Sequence, residues 1–444
     1  MRLIESLATT PELAEVFSDG SVLRAMLQFE AGLAAAEAGV GVIPESAADA
    51  IAAAAIPDGF DVASLAEKAL RAGTPAIPLV KALTDHVRAV SDESARFVHW
   101  GATSQDVADT AIVLLLDRSR AILAADHQRL QRALQRLSDQ YAGAIMLGRT
   151  LLQAAPPVTF GLKAAGWFGA AVRGWKRVES RFEEARMLQF GGASGTLAAL
   201  GENGIVVGRA LAAELRLKLP AAPWHTHRDR LAALVCACGV YVGSLAKMAR
   251  DIALLMQNEV AEGAEPAGEG RGGSSTMPHK RNPTGCSLTL AAAARVPGYV
   301  SSFLFGMAQE HERAAGGWQA EWATLARVVQ DTGLAIASMR EVAEGLAVDP
   351  RRMRENLEAT HGVIFAERAV MLLGSALGRD VAHTILEQAT RHSIETGRKL
   401  KEVLTEIPEA VRVLTPAQIE GLDSPEQYLG SAEIFRKQLL ESSE

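Results

Sequence analysis

Apolar positions recur along this chain at helical rather than strand spacing. From Asp106 to about Tyr141 there is no proline or glycine, and Leu123, Leu130, Leu134, Leu137 and Tyr141 fall on one stripe. That pattern predicts a single helix of about 35 residues, roughly 50 Å long. From His227 to about Glu262 no proline appears, and Leu231, Leu234, Cys238, Tyr241, Leu245, Met248, Ile252, Leu255 and Glu259 alternate in steps of three and four. An average step of about 3.5 is the seam of a long bundle or coiled-coil helix. A third long helix is predicted from about Thr284, bent at Pro297, to about Gln309. Helical pattern resumes after an insert at 310–322 and runs to about Leu346. Residues 20–55 also read as helices, with Leu23, Met26, Leu27, Phe29, Leu33 and Ala36 mostly at three- and four-residue steps. Alternating β-branched runs bounded by turns are nearly absent, so strand evidence is weak throughout.

The breaks between these helices carry as much information. Gly73-Thr74-Pro75-Ala76-Ile77-Pro78 reads as a turn with extended backbone. His99 to Asp106 is a polar turn that supplies the cap of the long helix after it. Residues 148–154 read as a polar loop, followed by Pro156-Pro157 and another helical stretch to about Phe190. Gly191 to Thr196 lacks the Gly-Lys-Ser/Thr ending of a phosphate-binding loop and reads as a tight turn. Character changes at Val348-Asp349-Pro350, beyond which helices are shorter and more charged. A domain boundary is therefore expected near 348. Helices this long exceed the usual length, and a lone copy leaves its apolar stripe in water. A bundle that also packs against other subunits is preferred to one closed within the chain.

Composition narrows the function classes. The 444 residues are 48% apolar and 22% charged, ordinary for a soluble globular protein. A net charge of −7 argues against nucleic acid or an anionic membrane as the main partner, so any anionic ligand must be held by local basic residues. Three cysteines make no disulfide framework and fit a reducing cytoplasm. Cys236 and Cys238, two apart on a predicted helix, point to different sides and make a poor metal pair. The first residues lack an apolar signal core, and no run of about 18 uncharged apolar residues occurs. The expectation is a soluble, cytoplasmic protein.

The stretch Gly268-Glu269-Gly270-Arg271-Gly272-Gly273-Ser274-Ser275-Thr276-Met277-Pro278-His279-Lys280-Arg281-Asn282-Pro283 suits neither helix nor strand, because glycine is entropically costly in both and proline removes donors. Its glycines offer backbone N–H groups, its serines hydroxyls, and Lys280 and Arg281 fixed positive charge. Three more polar segments stand at helix ends: 99–106, 148–154 and 309–318. Each alone has a plain reading as a capped helix end; four together point to a composite anion site. Thr103 and Ser104 lie where helix N-terminal donors favour an anion.

Gly273 to Pro283 resembles the signature of the fumarase/aspartase superfamily, Gly-Ser-Ser-x-Met-Pro-x-Lys-x-Asn-Pro. The turn at His99–Asp106 and the segment Gly148–Gln153 are similar to the superfamily's other two active-site regions, in the expected order. The resemblance implies an all-α subunit of three domains, 1–105, 106–348 (the long-helix bundle) and 349–444, a tetramer with a twenty-helix core, and active sites assembled from three chains. It also implies the chemistry: a base removes a proton beside a carboxylate, giving an aci-carboxylate dianion, and a leaving group departs from the neighbouring carbon. Such an anion needs aimed donors and cations. By resemblance Ser274 is the base, its oxyanion supported by backbone N–H groups and by Lys280. Lys280 and Asn282 bind the substrate carboxylate, with Thr103, Ser104, Thr150 and Gln153 as further donors. His99, Gln105, Arg149, Leu151, Ser275 and Met277 complete the implied pocket. No metal or cofactor is implied.

Departures indicate the branch. Lyases with amine or hydroxyl leaving groups usually carry a histidine where Leu151 stands, whereas a carboxylate leaving group needs little proton donation. The segments His99–Asp106 and Gln309–Trp318, with Glu321 and Trp322, resemble the muconate cycloisomerase branch, which tends to have tryptophan at the position of Leu151. Arg313 then becomes a candidate bidentate clamp for an extra carboxylate. The implied reaction interconverts 3-carboxy-cis,cis-muconate and its lactone in aromatic (protocatechuate) breakdown. Alternatives kept open are another superfamily lyase such as adenylosuccinate lyase, a sulfo-substituted muconate as substrate, and a non-catalytic protein retaining the scaffold.

Overall fold

The computed structural model describes residues 3–268, 272–273, 276–277 and 280–441. Its fold is all-α. The elements used below are α1 (Asp19–Val40), α2 (Ser104–Gln140), β1 (Ile145–Thr150), β2 (Gln153–Thr159), α3 (Phe160–Ala185), α4 (Asp229–Leu255), α5 (Thr284–Phe305) and α6 (Gly317–Gly345). Shorter helices occupy residues 350–441, among them Pro350–Glu358 and Arg379–Thr396.

The long helices form where the apolar stripes predict them. In α4, Leu231, Leu234, Cys238, Tyr241, Leu245, Met248, Ile252 and Leu255 are each at most 5% exposed. The helix ends at Leu255, so Glu259 lies past it in the open and is not part of the seam. In α2, Leu123, Leu130, Leu134 and Leu137 are buried, and Tyr141 follows the helix to meet Phe160 edge-on. By length and composition α4 and α5 could each cross a membrane, but 56% of the apolar window of α4 is buried inside the protein against 22% for α5. The first is a core helix. The second leaves an apolar face uncovered.

Three local expectations are corrected. The break before the helix Ala76–Arg88 is short: Pro75 is already helical (φ −72°, ψ −19°), and Pro78 falls in the first turn, where its missing N–H costs nothing. The insert after α5 is also shorter than expected. Helix α6 starts at Gly317, so Trp318 and Glu321 are helical rather than part of a loop. Residues 148–154 belong to an antiparallel hairpin of β1 and β2, with Thr150 opposite Gln153 and an irregularity between Leu147 and Gly148.

Contacts divide the chain into two compact units. One comprises Met1–Gln128, Gly174–Ala246 and Leu288–Ser338; the other comprises Arg129–Arg173, Lys247–Ser287 and Met339–Glu444. Each of the five helices α2 to α6 contributes residues to both. Within the first unit, His127 shows how its interior treats a polar side chain. Its Nδ1 meets the Tyr241 hydroxyl at 2.7 Å, its ring stacks on Trp175, and burial pushes its pKa down to about 4. The second unit is centred on Leu357, Phe365, Leu373, Leu386, Leu400 and Leu404.

Candidate functional site

In the first unit the turn before α2 is built around a buried carboxylate. Asp106 accepts the Thr103 and Gly192 N–H groups on Oδ2 (3.1 and 2.9 Å) and the Gly191 N–H on Oδ1 (3.0 Å), with His225 Nε2 2.7 Å from Oδ1. This fixes Thr103 at the N-terminus of α2, with Ser104 its first residue. Gly101 closes the turn at φ +71°, and a Cβ there would stand 2.7 Å from the Leu200 side chain. Gln105 is fully buried, its Nε2 donating to His225 O (2.8 Å) and Asp109 Oδ2 (3.1 Å).

Arg313 reaches into the same turn. Its Nη1 donates to Thr103 Oγ1 at 3.0 Å, and its Nη2 to the carbonyls of Gly192 and Ala193 at 3.1 and 3.0 Å. All three acceptors are neutral, and among the described residues Arg313 has no carboxylate partner. Its charge is thus fixed in position and left uncompensated beside a helix N-terminus, an arrangement that attracts an anion. His99 joins this group with its Nδ1 2.7 Å from Glu30 Oε1.

The segment bearing Arg313 is anchored by a network that sequence reasoning missed. Arg228, buried, donates to both oxygens of Asp109 (2.7 and 3.0 Å) and to Glu321 (2.6 to 3.1 Å). Gln309 Nε2 donates to Glu321 Oε1 at 2.7 Å, and Trp318 Nε1 to Asp109 Oδ1 at 3.0 Å. Gln309 and Glu321 therefore pin both sides of the 310–316 segment. Burial works against both charges. At Asp109 it is outweighed by the Arg228 charge and its hydrogen bonds, which hold the carboxyl below its usual range; at Glu321 burial prevails and the pKa is raised. One guanidinium fully supports one carboxylate, not two. Charges spaced along long helices look like solvated faces, so although Gln309, Trp318 and Glu321 stand in a segment singled out by resemblance, nothing in the sequence marks Arg228 and Asp109 as their partners.

In the second unit the β1–β2 hairpin carries Arg149, Thr150, Leu151 and Gln153. Arg149 is turned to Glu262, a fully buried carboxylate, at 2.9 and 2.7 Å. The two-residue tip is Leu151-Leu152, at φ 49° and 64°, 97% and 80% exposed. Two positive φ values are what a tight hairpin turn demands and what Asn-Gly usually supplies. Leucine in this region costs roughly 1 kcal/mol or more per residue, and such strain concentrates at functional sites.

Of the signature, Ser274, Ser275, Pro278 and His279 lie outside the described residues. Around them, Gly272 sits at φ +63°, where a Cβ would come within 2.7 Å of Asn282 O. Asn282 returns its N–H to Gly272 O (2.8 Å) and its Nδ2 to Gly273 O (3.3 Å), closing the loop on itself. Met277, Lys280 and Asn282 line a cavity of about 960 Å³ with Asn258 and Asp349. Glu265, buried, accepts the N–H groups of Gly285 and Cys286 (3.0 and 2.8 Å), so a protein carboxylate already occupies the N-terminus of α5. No group of three or more potential metal ligands occurs among the described residues.

Thus His99, Thr103, Ser104, Gln105 and Arg313 gather in one unit. Arg149, Thr150, Leu151 and Gln153 share one hairpin in the other, which also carries Met277, Lys280 and Asn282.

Comparison with known proteins gives matching results. The lyase family model matches residues 5–298, and the model of the adenylosuccinate lyase C-terminus matches 362–438. A 3-carboxy-cis,cis-muconate cycloisomerase of Bradyrhizobium diazoefficiens is 46% identical, with 99% of each chain covered. One of Pseudomonas aeruginosa is 46% identical over 99% of this chain and 96% of its own. The crystal structure of 3-carboxy-cis,cis-muconate lactonizing enzyme from Pseudomonas putida superposes with a TM-score of 0.93 at 42% identity, covering 100% and 99% of the two chains.

Proposed function

Because the chain belongs to the fumarase/aspartase superfamily of lyases, we propose that it is a cycloisomerase interconverting 3-carboxy-cis,cis-muconate and carboxymuconolactone. The end-to-end likeness to cycloisomerases carries this reading. The uncompensated guanidinium of Arg313 supports it, since the substrate's third carboxylate needs a planar bidentate partner.

In lactone closure a substrate carboxylate oxygen adds to a double bond, and Ser274 delivers a proton to the adjacent carbon. In opening, Ser274 takes that proton back, and the ring oxygen leaves as a carboxylate. Lys280 and the backbone N–H groups of the glycine-rich segment stabilise both the serine oxyanion and the aci-carboxylate formed on the substrate. Asn282, Ser275 and Met277 shape that end of the pocket; Thr103, Ser104, Thr150 and Gln153 donate to the carboxylates, and His99 with Arg313 supplies cations. Gln105 and Arg149 act through the turn and the hairpin they hold. A carboxylate leaves without a proton, so apolar Leu151 is tolerated where related lyases place an acid. The step is a redox-neutral isomerisation and calls for no cofactor.

The working form in this reading is a homotetramer whose sites combine loops of different subunits. The open apolar face of α4 and α5 supports it, with Val240, Leu304 and Phe305 57%, 44% and 91% exposed, as does the strained leucine tip. Three free cysteines suit a reducing cytoplasm.

The test is ultraviolet absorbance of purified protein with 3-carboxymuconate. Ring closure destroys the conjugated diene, so absorbance falls, and Ser274→Ala abolishes the fall. Unchanged absorbance with the wild-type protein removes the assignment. Adenylosuccinate cleavage, which the match at residues 362–438 brings to mind, is expected to be absent because no histidine stands at 151.

A further inference from the structure

Helix α1 buries two glutamates one above the other on its apolar face. Glu30 and Glu37, 1% and 0% exposed, lie among Met26, Leu27, Phe29, Leu33 and Ala34. Neither oxygen of Glu37 has a hydrogen-bond partner among the described residues, nor does Oε2 of Glu30. Only Glu30 Oε1 is engaged, by His99 Nδ1 at 2.7 Å. A buried carboxylate is costly unless paired, so this one contact carries the compensation for Glu30.

His99 is itself unusual. Its backbone is left-handed at φ 60°, a conformation an L-residue adopts at a cost, in the turn that leads to Thr103 and Arg313. Its side chain is only 17% exposed, with Nδ1 committed inward. A carboxylate oxygen can only accept, so Nδ1 carries a proton, and Nε2 is the ring nitrogen left for a ligand.

We propose that Glu30 is the positioning residue of the site: it fixes the ring of His99 and keeps it an imidazolium whose Nε2–H binds a substrate carboxylate. The inference rests on the reading of His99 as substrate-binding and adds the group that makes it a cation. The charges acting on the ring are Glu30 from α1 and, more weakly, Asp106, which His225 contacts; Glu37 acts on Glu30, and Arg313 stands across the turn at Thr103. Burial alone lowers the imidazole's pKa, but the charge and hydrogen bond of Glu30, helped by Asp106, outweigh it and raise the pKa above its ordinary value. Glu37 is held neutral to about pH 9, first by burial and then by Glu30, so it adds no competing negative charge at neutral pH.

The test combines His99 ring NMR with kinetics on Glu30→Gln, using Glu37→Gln as control. In the wild type the ring titrates above 6.5 and is protonated at Nδ1. In Glu30→Gln its pKa falls below the wild-type value, and KM at pH 7.5 rises about tenfold with kcat within about twofold, as for one lost charge-assisted contact. Lowering the pH to 5.5 restores KM. Glu37→Gln leaves both readouts unchanged. A wild-type ring that is mostly neutral at pH 7.5 overturns the proposal, whether or not Glu30→Gln folds, and so does a His99 titration that the variant does not move. Because the NMR measurement needs no substrate, it stands even if 3-carboxymuconate proves not to be turned over.

Discussion

Arg149 and Glu262 face each other through two parallel hydrogen bonds of 2.9 and 2.7 Å, with Glu262 fully buried and Arg149 about a quarter exposed. Asn356 Nδ2 adds a third donor to Glu262 at 2.7 Å, tying the hairpin base to the helix Pro350–Glu358. Removing the arginine leaves a buried carboxylate with one neutral donor. Arg149→Ala is expected to cost about 2–4 kcal/mol, at the lower side of the range for buried pairs because the arginine is partly hydrated. Glu262→Gln, which leaves no orphaned charge inside, is expected to cost less. Urea unfolding of both variants measures the difference.

The hairpin tip makes a prediction in which stability and activity part company. Replacing Leu151-Leu152 by Asn-Gly puts residues suited to positive φ where two leucines are strained, and is expected to stabilise the fold by about 1–2 kcal/mol. If the tip works inside a shared site, the same change lowers kcat/KM by tenfold or more. Thermal melting and steady-state rates on one preparation decide. A stabler protein with unaltered rates excludes the tip from the site.

Arg313→Lys tests the clamp. Lysine keeps the charge but cannot span Thr103 Oγ1 and the carbonyls of Gly192 and Ala193 while presenting a flat edge to a carboxylate. A loss of about 2 kcal/mol in kcat/KM, some thirtyfold, is expected, mostly as a raised KM. Thermal stability should hardly move, because every acceptor Arg313 now uses is neutral.

Glu37 predicts a pH slope. Its folded pKa of about 9 lies above the ordinary value of 4.5, so the folded state keeps a proton that the unfolded chain releases. The associated stability is fully present below about pH 4.5 and lost as pH rises towards 9. Between pH 5 and 8 the wild type should lose about 1.4 kcal/mol per pH unit relative to Glu37→Gln. Parallel stability curves for the two proteins refute a neutral Glu37.

The helices were legible because burial writes a period into the chain. The seam of α4 could be read residue by residue as far as Leu255, where the structure ends it. The hairpin was not legible: its turn is Leu151-Leu152 instead of the residues that normally announce one, since the tip is strained. Nor were the interior charges. Glu30 and Glu37 sit on an otherwise apolar face of α1, and Arg228, Asp109 and Glu321 meet from positions far apart in the chain. A pattern reports which face of a helix is buried, but not which distant charge will meet it there. The signature at 273–283 announced chemistry through residue types alone, and its serines fall outside the described residues.

Arg313 also bears on how the protein should be handled. Among the described residues its guanidinium is held by a hydroxyl and two peptide oxygens, so an added polyanion is expected to bind it. If Arg313 holds a substrate carboxylate as proposed, phosphate, citrate or sulfate in a purification buffer is expected to compete there, and apparent affinities to follow the choice of salt as much as its strength. Kinetic work on this protein belongs in a zwitterionic buffer with chloride as the sole small anion.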